Sequence, residues 1–404
     1  MLSEKEKLDA LMVLGVELNQ VQDLDILMER VLFEARQFVN ADAGSIYIRR
    51  QDQLDFSYTQ NDTLQKRLPP GEKLIFTTFS MPIDQKSMAG YVAATGHPLN
   101  IPDVYRIAAT LPYSFSKQFD QASGYKTQSA FTFPLKTANG NILGILQIIN
   151  AQDENGNKIP FSEQDEKMMA HFAGVAAVAL ERAQMTRAIL LRMIKMAELR
   201  DPKETGPHVN RVAGYAVEIY ERWAQKRNLD HKEIDRTRDV LRMAAMLHDV
   251  GKVGTSDLIL KKPGRLTKEE FEIMKQHTLF GARLFGDRQS DFDVAAAKVA
   301  LNHHEKWNGS GYPGYIDLRT GIPLDDKARP DGSAQGKHGE ESPLFGRIVA
   351  LADDFDALSS KRCYKEAWDE SKVLATIEKD TGSHFDPELV EIFFASMNMI
   401  RAIQ

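Results

Sequence analysis

The chain has 404 residues, more than one ordinary hydrophobic core organises, so two or three domains are expected. Its 43% hydrophobic and 27% charged residues describe a globular protein, and a net charge of −6 excludes bulk attraction to nucleic acid or an anionic membrane. No apolar run approaches the ~20 residues of a membrane span, and the single cysteine, Cys363, excludes an internal disulfide. The start, Met1-Leu-Ser-Glu-Lys5, lacks a signal-peptide core, so a cytoplasmic location is the expectation.

Leu8, Leu11, Met12 and Leu18 form a helical stripe, and a second runs from Ile26 to Val39. The period then changes. Ser45–Arg49 and Leu54–Tyr58 alternate around a polar turn, and Ser129–Leu135 and Ile142–Ile149 flank Asn139-Gly140, a dipeptide suited to tight hairpins. With a short helix over 87–95, this predicts an α+β domain: an antiparallel sheet flanked by helices over residues 1–160. Gly96-His-Pro-Leu-Asn-Ile-Pro-Asp-Val104, Phe133-Pro-Leu135 and Gly144–Asn150 resemble a GAF domain, a small-molecule sensor fold. The resemblance implies either a small ligand or a dimerisation role, and puts Asp103, Tyr105 and Asp120 near any pocket, where ordinary loop chemistry is the plainer reading.

Ser162-Glu-Gln-Asp165 reads as a capping box opening a helix that meets no proline until Pro202. Met169, Phe172, Ala176, Ala179, Ala183, Thr186, Leu190, Met193 and Ala197 alternate at spacings of three and four. A connecting helix over 161–200 is therefore expected, its stripe read as a parallel homodimer seam in preference to packing on its own domain.

From residue 201 to 404 helical stripes recur without strand alternation, and Thr267–Glu270, Ser342-Pro343 and Asp386-Pro387 mark helix starts. An all-α domain of about seven helices follows. It carries Glu204-Thr-Gly-Pro-His208, His248-Asp249, His277, His303-His304 and Asp353. Each has a bland alternative as a solvated or hydrogen-bonded residue. Together they exceed the three protein ligands of one catalytic zinc and suggest two or three divalent ions, with iron or manganese suited at least as well as zinc. Paired ions clamp a phosphoryl group for in-line displacement, which is chemistry for phosphoester hydrolysis.

His248-Asp-Val-Gly-Lys252 is similar to the signature of the HD phosphohydrolase superfamily, and His303-His-Glu-Lys-Trp-Asn-Gly-Ser-Gly-Tyr-Pro313 to the second signature of its HD-GYP branch. The resemblance implies a metal-dependent phosphodiesterase that hydrolyses cyclic di-GMP to pGpG, with the N-terminal domain as regulator. By position it implies metal ligation by His208, His248, Asp249, His277, His303, His304 and Asp353, with Glu204 adding a third ion. A three-metal site would admit the linear product for a second cut to GMP. Lys252 falls on a residue contacting the scissile phosphate, Arg362 and Lys365 on ligand-binding positions, and Tyr312 beside the bound dinucleotide. The implied ions are iron first and manganese second. A cyclic di-GMP receptor without hydrolysis and an enzyme for another cyclic dinucleotide, such as cyclic GMP-AMP, are the alternatives. Three departures stand out: Asn308 replaces an aspartate, Cys363 a proline, and residues 315–338 form an insertion rich in Gly, Pro and Asp. A loop this long is expected to be a lid or disordered, its charges Asp325, Asp326, Lys327 and Arg329 solvated.

Overall fold

The computed structural model describes residues 4–69, 72–76, 78–199, 206–360 and 368–404. The chain forms two compact units, Met1–Arg187 and Ala188–Gln404.

The first unit is the expected α+β domain. Helices α1 (Glu4–Gln20) and α2 (Leu24–Phe38) precede strands β1 (Ala41–Arg50) and β2 (Gln53–Asn61). After α3 (Asp62–Gln65) come β3 (Ser80–Pro82), α4 (Met88–Thr95), β4 (Leu99–Ile101) and α5 (Gln118–Ser123). Strands β5 (Ala130–Lys136), β6 (Ile142–Gln152) and β7 (Lys158–Ile159) complete a sheet ordered β3-β2-β1-β6-β5-β4, with β7 beside β6 and every pairing antiparallel. Gly140 sits at φ +81 in the β5–β6 hairpin, a conformation that costs glycine little. Asp23 caps α2 by accepting from the Asp25 and Ile26 amides, and Ser87 caps α4.

β1 is buried along its first eight residues because both of its faces are covered. Ile46 and Ile48 join the core with α2, while Tyr47 packs with Ala89, Val92 and Ala93 of α4. The Tyr105 hydroxyl donates to Asp120 at 2.8 Å, Asp120 also accepts the Thr127 amide and hydroxyl, and Asp103 caps a short turn.

Helix α6 (Glu163–Glu198) opens on the expected reciprocal cap between Ser162 and Asp165. The stripe assigned to a dimer seam is used differently over its first half. Met169, Phe172, Ala176, Ala179 and Ala183 lie in the same core as α2 and the sheet, at 0% exposure. The physical reason is that an apolar stripe seeks the nearest apolar surface, and the alanines let α6 approach its own unit closely.

The second unit is helical. Its helices after α6 are α7 (Gly206–Lys226), α8 (His231–Met246), α9 (Asp257–Leu260), α10 (Lys268–Lys275), α11 (His277–Leu284), α12 (Asp291–Asn302), α13 (Leu344–Ser359), α14 (Glu370–Lys379), α15 (Pro387–Ala395) and α16 (Met397–Ile403). That is more than the expected seven, and Gln276 and Ser396 each serve as C-cap of one helix and N-cap of the next, so two of the junctions have no intervening loop. Tyr215, Leu241, Val299, Leu351, Phe355 and Phe393 centre its core. The insertion at 315–338 is built from local turns: Tyr315 and Gln335 pair their backbones at 3.0 Å, and Arg283 of α11 donates to the carbonyls of Leu318 and Arg319 at 2.7 and 2.9 Å. Asp325, Asp326 and Arg329 are exposed, while the Lys327 ammonium lies over the Tyr315 ring.

Candidate metal centre

Each metal-donor side chain is delivered by a helix start, helix end or helix face. α8 stops at Met246, and its apolar run Met243–Leu247 is buried, which carries His248 and Asp249 into the core at its C-terminal end. A tight turn at Val250–Gly254 then packs against α11. A Cβ on Gly251 would stand 1.9 Å from the His277 carbonyl oxygen, so only glycine allows this approach. His277 opens α11, His303 caps α12 with His304 next, His208 lies in the first turn of α7, and Asp353 faces inward from α13.

These side chains converge in two groups. His208, His248 and Asp353 offer donor atoms within 4.8 Å of one another, as do Asp249, His277, His303 and His304. Asp249 joins them: one carboxylate oxygen lies 3.1 Å from His277 Nε2 and 3.5 Å from His303 Nε2, the other 3.4 Å from His248 Nε2. Asp353 spans His208 at 3.4 Å and His248 at 3.8 Å.

The inward-facing nitrogen of four histidines is chosen by hydrogen bonding of the other. Nδ1 of His208 meets Asp356 at 2.7 Å, that of His248 the Ala245 carbonyl at 2.8 Å, that of His277 the Met274 carbonyl at 2.6 Å, and that of His303 the Ala300 carbonyl at 3.1 Å. Nε2 is left as the donor atom. Arg211 grips Asp356 through Nε at 2.6 Å and Nη2 at 2.9 Å, supporting the His208 contact.

The donor set fits divalent cations in two respects. Asp249 Oδ1 and the Nε2 atoms of His277 and His303 are buried and lack hydrogen-bond partners, a costly state that a coordinated cation relieves. The protonation states also suit ligation. Burial lowers the His303 imidazolium, and burial with the neighbouring His303 and His277 lowers His304 further, so both are neutral donors. Burial pushes the Asp249 carboxyl upward, but Lys252 and His248 outweigh it and hold the group well below the ordinary range.

Lys252 Nζ stands 2.6 Å from Asp249 Oδ2. Tyr312 stacks on the His304 ring at 4.8 Å, and burial raises its phenol. Glu204, Arg362 and Lys365, along with Cys363, lie outside the described residues. Asn308 Oδ1 accepts the Ser310 amide at 3.0 Å and its hydroxyl at 2.7 Å, inside its own loop.

Several supporting residues escaped the sequence reading. Asp356 was legible in principle, since it follows Asp353 by three and so shares its helical face. Glu305 is 3% exposed and accepts the Gly314 amide at 2.6 Å and the Lys337 amide at 3.3 Å, tying the Gly311-Tyr312-Pro313 loop to the insertion. Nothing in its local sequence distinguishes that role.

The fold and site together define the class: an α+β GAF-like domain followed by a long helix and a helical, metal-binding HD-type domain. Residues 205–358 match the HD domain family and residues 23–180 the GAF domain family. The chain is 38% identical over 211 residues to a cyclic di-GMP phosphodiesterase of Vibrio cholerae, covering 51% of this chain and 38% of that protein. It is 32% identical over 250 residues to 3'3'-cGAMP-specific phosphodiesterase 2 of the same organism, covering 60% and 42%. It is 39% identical over 198 residues to a cyclic di-GMP phosphodiesterase of Thermotoga maritima, covering 49% and 46%. The chain thus spans less than half the length of each of these relatives. Among the described residues, no helix is long and apolar enough to cross a membrane.

Proposed function

We propose that this protein is a metal-dependent phosphodiesterase of the HD-GYP type that cleaves a cyclic dinucleotide, cyclic di-GMP first, to its linear form. The observation that carries the reading is the juxtaposition of two buried donor groups through the adjacent pair His248-Asp249. Divalent ions bound there, iron or manganese, would draw charge from a phosphodiester and bring the pKa of a bound water toward neutrality.

The protein's own groups supply the rest. His208, His248 and Asp353 would hold one ion and His277, His303 and His304 another, with Asp249 between them. Lys252 keeps a proton at Nζ beside Asp249, in position to steady a scissile phosphate and give the proton to the departing ester oxygen. Tyr312 borders the dinucleotide, and Arg362 and Lys365 would bind its phosphates or guanines. Glu204, four residues before His208, would add a third ion and with it the second cut to GMP. The domain over 1–160 acts as regulator, the 161–200 helix joins it to the catalytic domain over 201–404, and the working form is a cytoplasmic homodimer.

The test is metal analysis of anaerobically prepared protein followed by product analysis with cyclic di-GMP. Replacing His248 and Asp249 with alanine is expected to remove metal and lower turnover at least ~100-fold, beyond what loss of a supporting contact costs. Undiminished turnover in that variant would sink the assignment. The 32% identity to a cGAMP-specific enzyme over 60% of this chain favours cyclic GMP-AMP as the second candidate substrate. Competition between the two dinucleotides decides between them.

A further inference from the structure

Helix α10 buries none of its residues, yet it is held in place with care. Thr267 and Glu270 form a reciprocal cap at its start, and Lys262 Nζ reaches both Glu270 oxygens at 2.6 and 2.8 Å. At its other end the Met274 carbonyl meets Nδ1 of His277 at 2.6 Å, joining α10 to the metal centre.

Phe271 and Lys275 lie four residues apart and share one face of this helix. Phe271 is 43% exposed and meets Tyr312 edge-on, ring centroids 5.9 Å apart at 83°. The Lys275 ammonium stands 5.1 Å from the Phe271 centroid and 5.4 Å from that of Tyr312. Tyr312 in turn stacks on His304 at 4.8 Å. An exposed aromatic ring, a second ring at right angles and a cation are thus fixed beside the donor groups. Lys275 is also paired with Glu272 at 2.6 Å, but Glu272 is 68% exposed and such surface pairs are weakly held.

We propose that Phe271, Tyr312 and Lys275 form a purine-binding corner, with Phe271 as the stacking face and Lys275 as the group that prefers guanine. The inference rests on the cyclic-dinucleotide reading and deepens it. Every base offers a π-face to an aromatic ring, so Phe271 contributes affinity without selecting a base. Guanine presents two acceptors, O6 and N7, along one edge, where adenine presents an amino donor beside N7. A fixed ammonium therefore favours guanine.

The experiment measures equilibrium Kd on the full chain with Mn2+, using phosphorothioate analogues of cyclic di-GMP and cyclic di-AMP that resist cleavage. Phe271→Ala is expected to weaken guanine-analogue binding about tenfold, Phe271→Leu similarly, and Phe271→Trp to restore it to within about threefold. Lys275→Met is expected to narrow the ratio between the adenine and guanine analogues by about tenfold. Turnover of bis(p-nitrophenyl) phosphate, a diester without a purine, provides the contrast: Phe271→Ala is expected to lose at least fivefold more kcat/KM on cyclic di-GMP than on this diester. An unchanged Kd in Phe271→Ala, leucine serving as well as tryptophan, or equal losses on both diesters would overturn the corner. If the Phe271 variants show the expected changes in Kd but the unaltered chain cleaves neither diester, the hydrolytic reading falls and the corner stands.

Discussion

His384 shows how burial at a single residue becomes a dependence on pH. Its ring stacks on Phe385 at 4.3 Å and its carbonyl accepts the Trp307 amide at 2.9 Å. Burial, then the charge of Lys306, pushes its pKa down to about 4 from an ordinary 6.5. The Asp354 carboxylate, 3.3 Å from Nδ1 but 39% exposed, does not offset them. Between these two values the unfolded chain binds a proton that the folded chain refuses, so stability is full above pH 6.5 and falls as pH drops toward 4. The slope for one such group is at most about 1.4 kcal/mol per pH unit. Denaturant titrations at pH 7 and pH 5 should show His384→Gln losing less stability than the unaltered protein. An identical loss in both would show that other groups set the acid response.

Among the elements, the turn after α8 depends on a close approach that sequence pattern alone does not reveal. Gly251 lies against the backbone of α11, where an added Cβ would meet the His277 oxygen at 1.9 Å and the Gly281 nitrogen at 2.3 Å. Backbone cannot move aside as a side-chain end can. Gly251→Ala is therefore expected to cost about 3 kcal/mol, read as a lower denaturation midpoint at unchanged slope, and to weaken metal binding by displacing His277. Normal stability together with normal metal affinity would contradict this packing argument. On α6, the large hydrophobic residues exposed to solvent are Val178, Met185, Ile189 and Met196, at 53%, 63%, 49% and 66%. They recur at seven, four and seven residues, a seam spacing. In the proposed homodimer this stripe, not the buried one through Ala176 and Ala183, would be the one to meet a second copy. Met185→Asp should raise the dimer dissociation constant at least ~10-fold in sedimentation, by putting a charge into an apolar seam. A monomeric unaltered protein at micromolar concentration would end the dimer proposal.

For the whole molecule, the two units hold separate hydrophobic cores, one around Phe131 and Phe172 and the other around Tyr215 and Phe355. Two unfolding transitions are expected, and the donor groups belong to the second unit alone. Manganese at a hundred times its dissociation constant should stabilise that unit by about 2.7 kcal/mol, and a chelator should reverse the gain. Calorimetry with and without metal checks this. A shift of both transitions, or of neither, would contradict the assignment.

Much of this organisation is legible in the sequence. Alternation in Ser45–Arg49 and Leu54–Tyr58 marks a hairpin, and the caps at Ser162 and Thr267 mark helix starts, because both depend on neighbours within a few residues. The donor residues His208, His248, Asp249, His277, His303, His304 and Asp353 are legible as residue types whose chemistry is the same wherever the chain carries them. Only the tertiary structure decided that they fall into two groups with Asp249 between them, that Asp356 and Arg211 orient His208, and that Phe271 stands beside Tyr312. It also decided which stripe of α6 is covered. Periodicity states that a helix has an apolar face, but the covering surface comes from residues distant in the chain, and that choice is made only when the core closes.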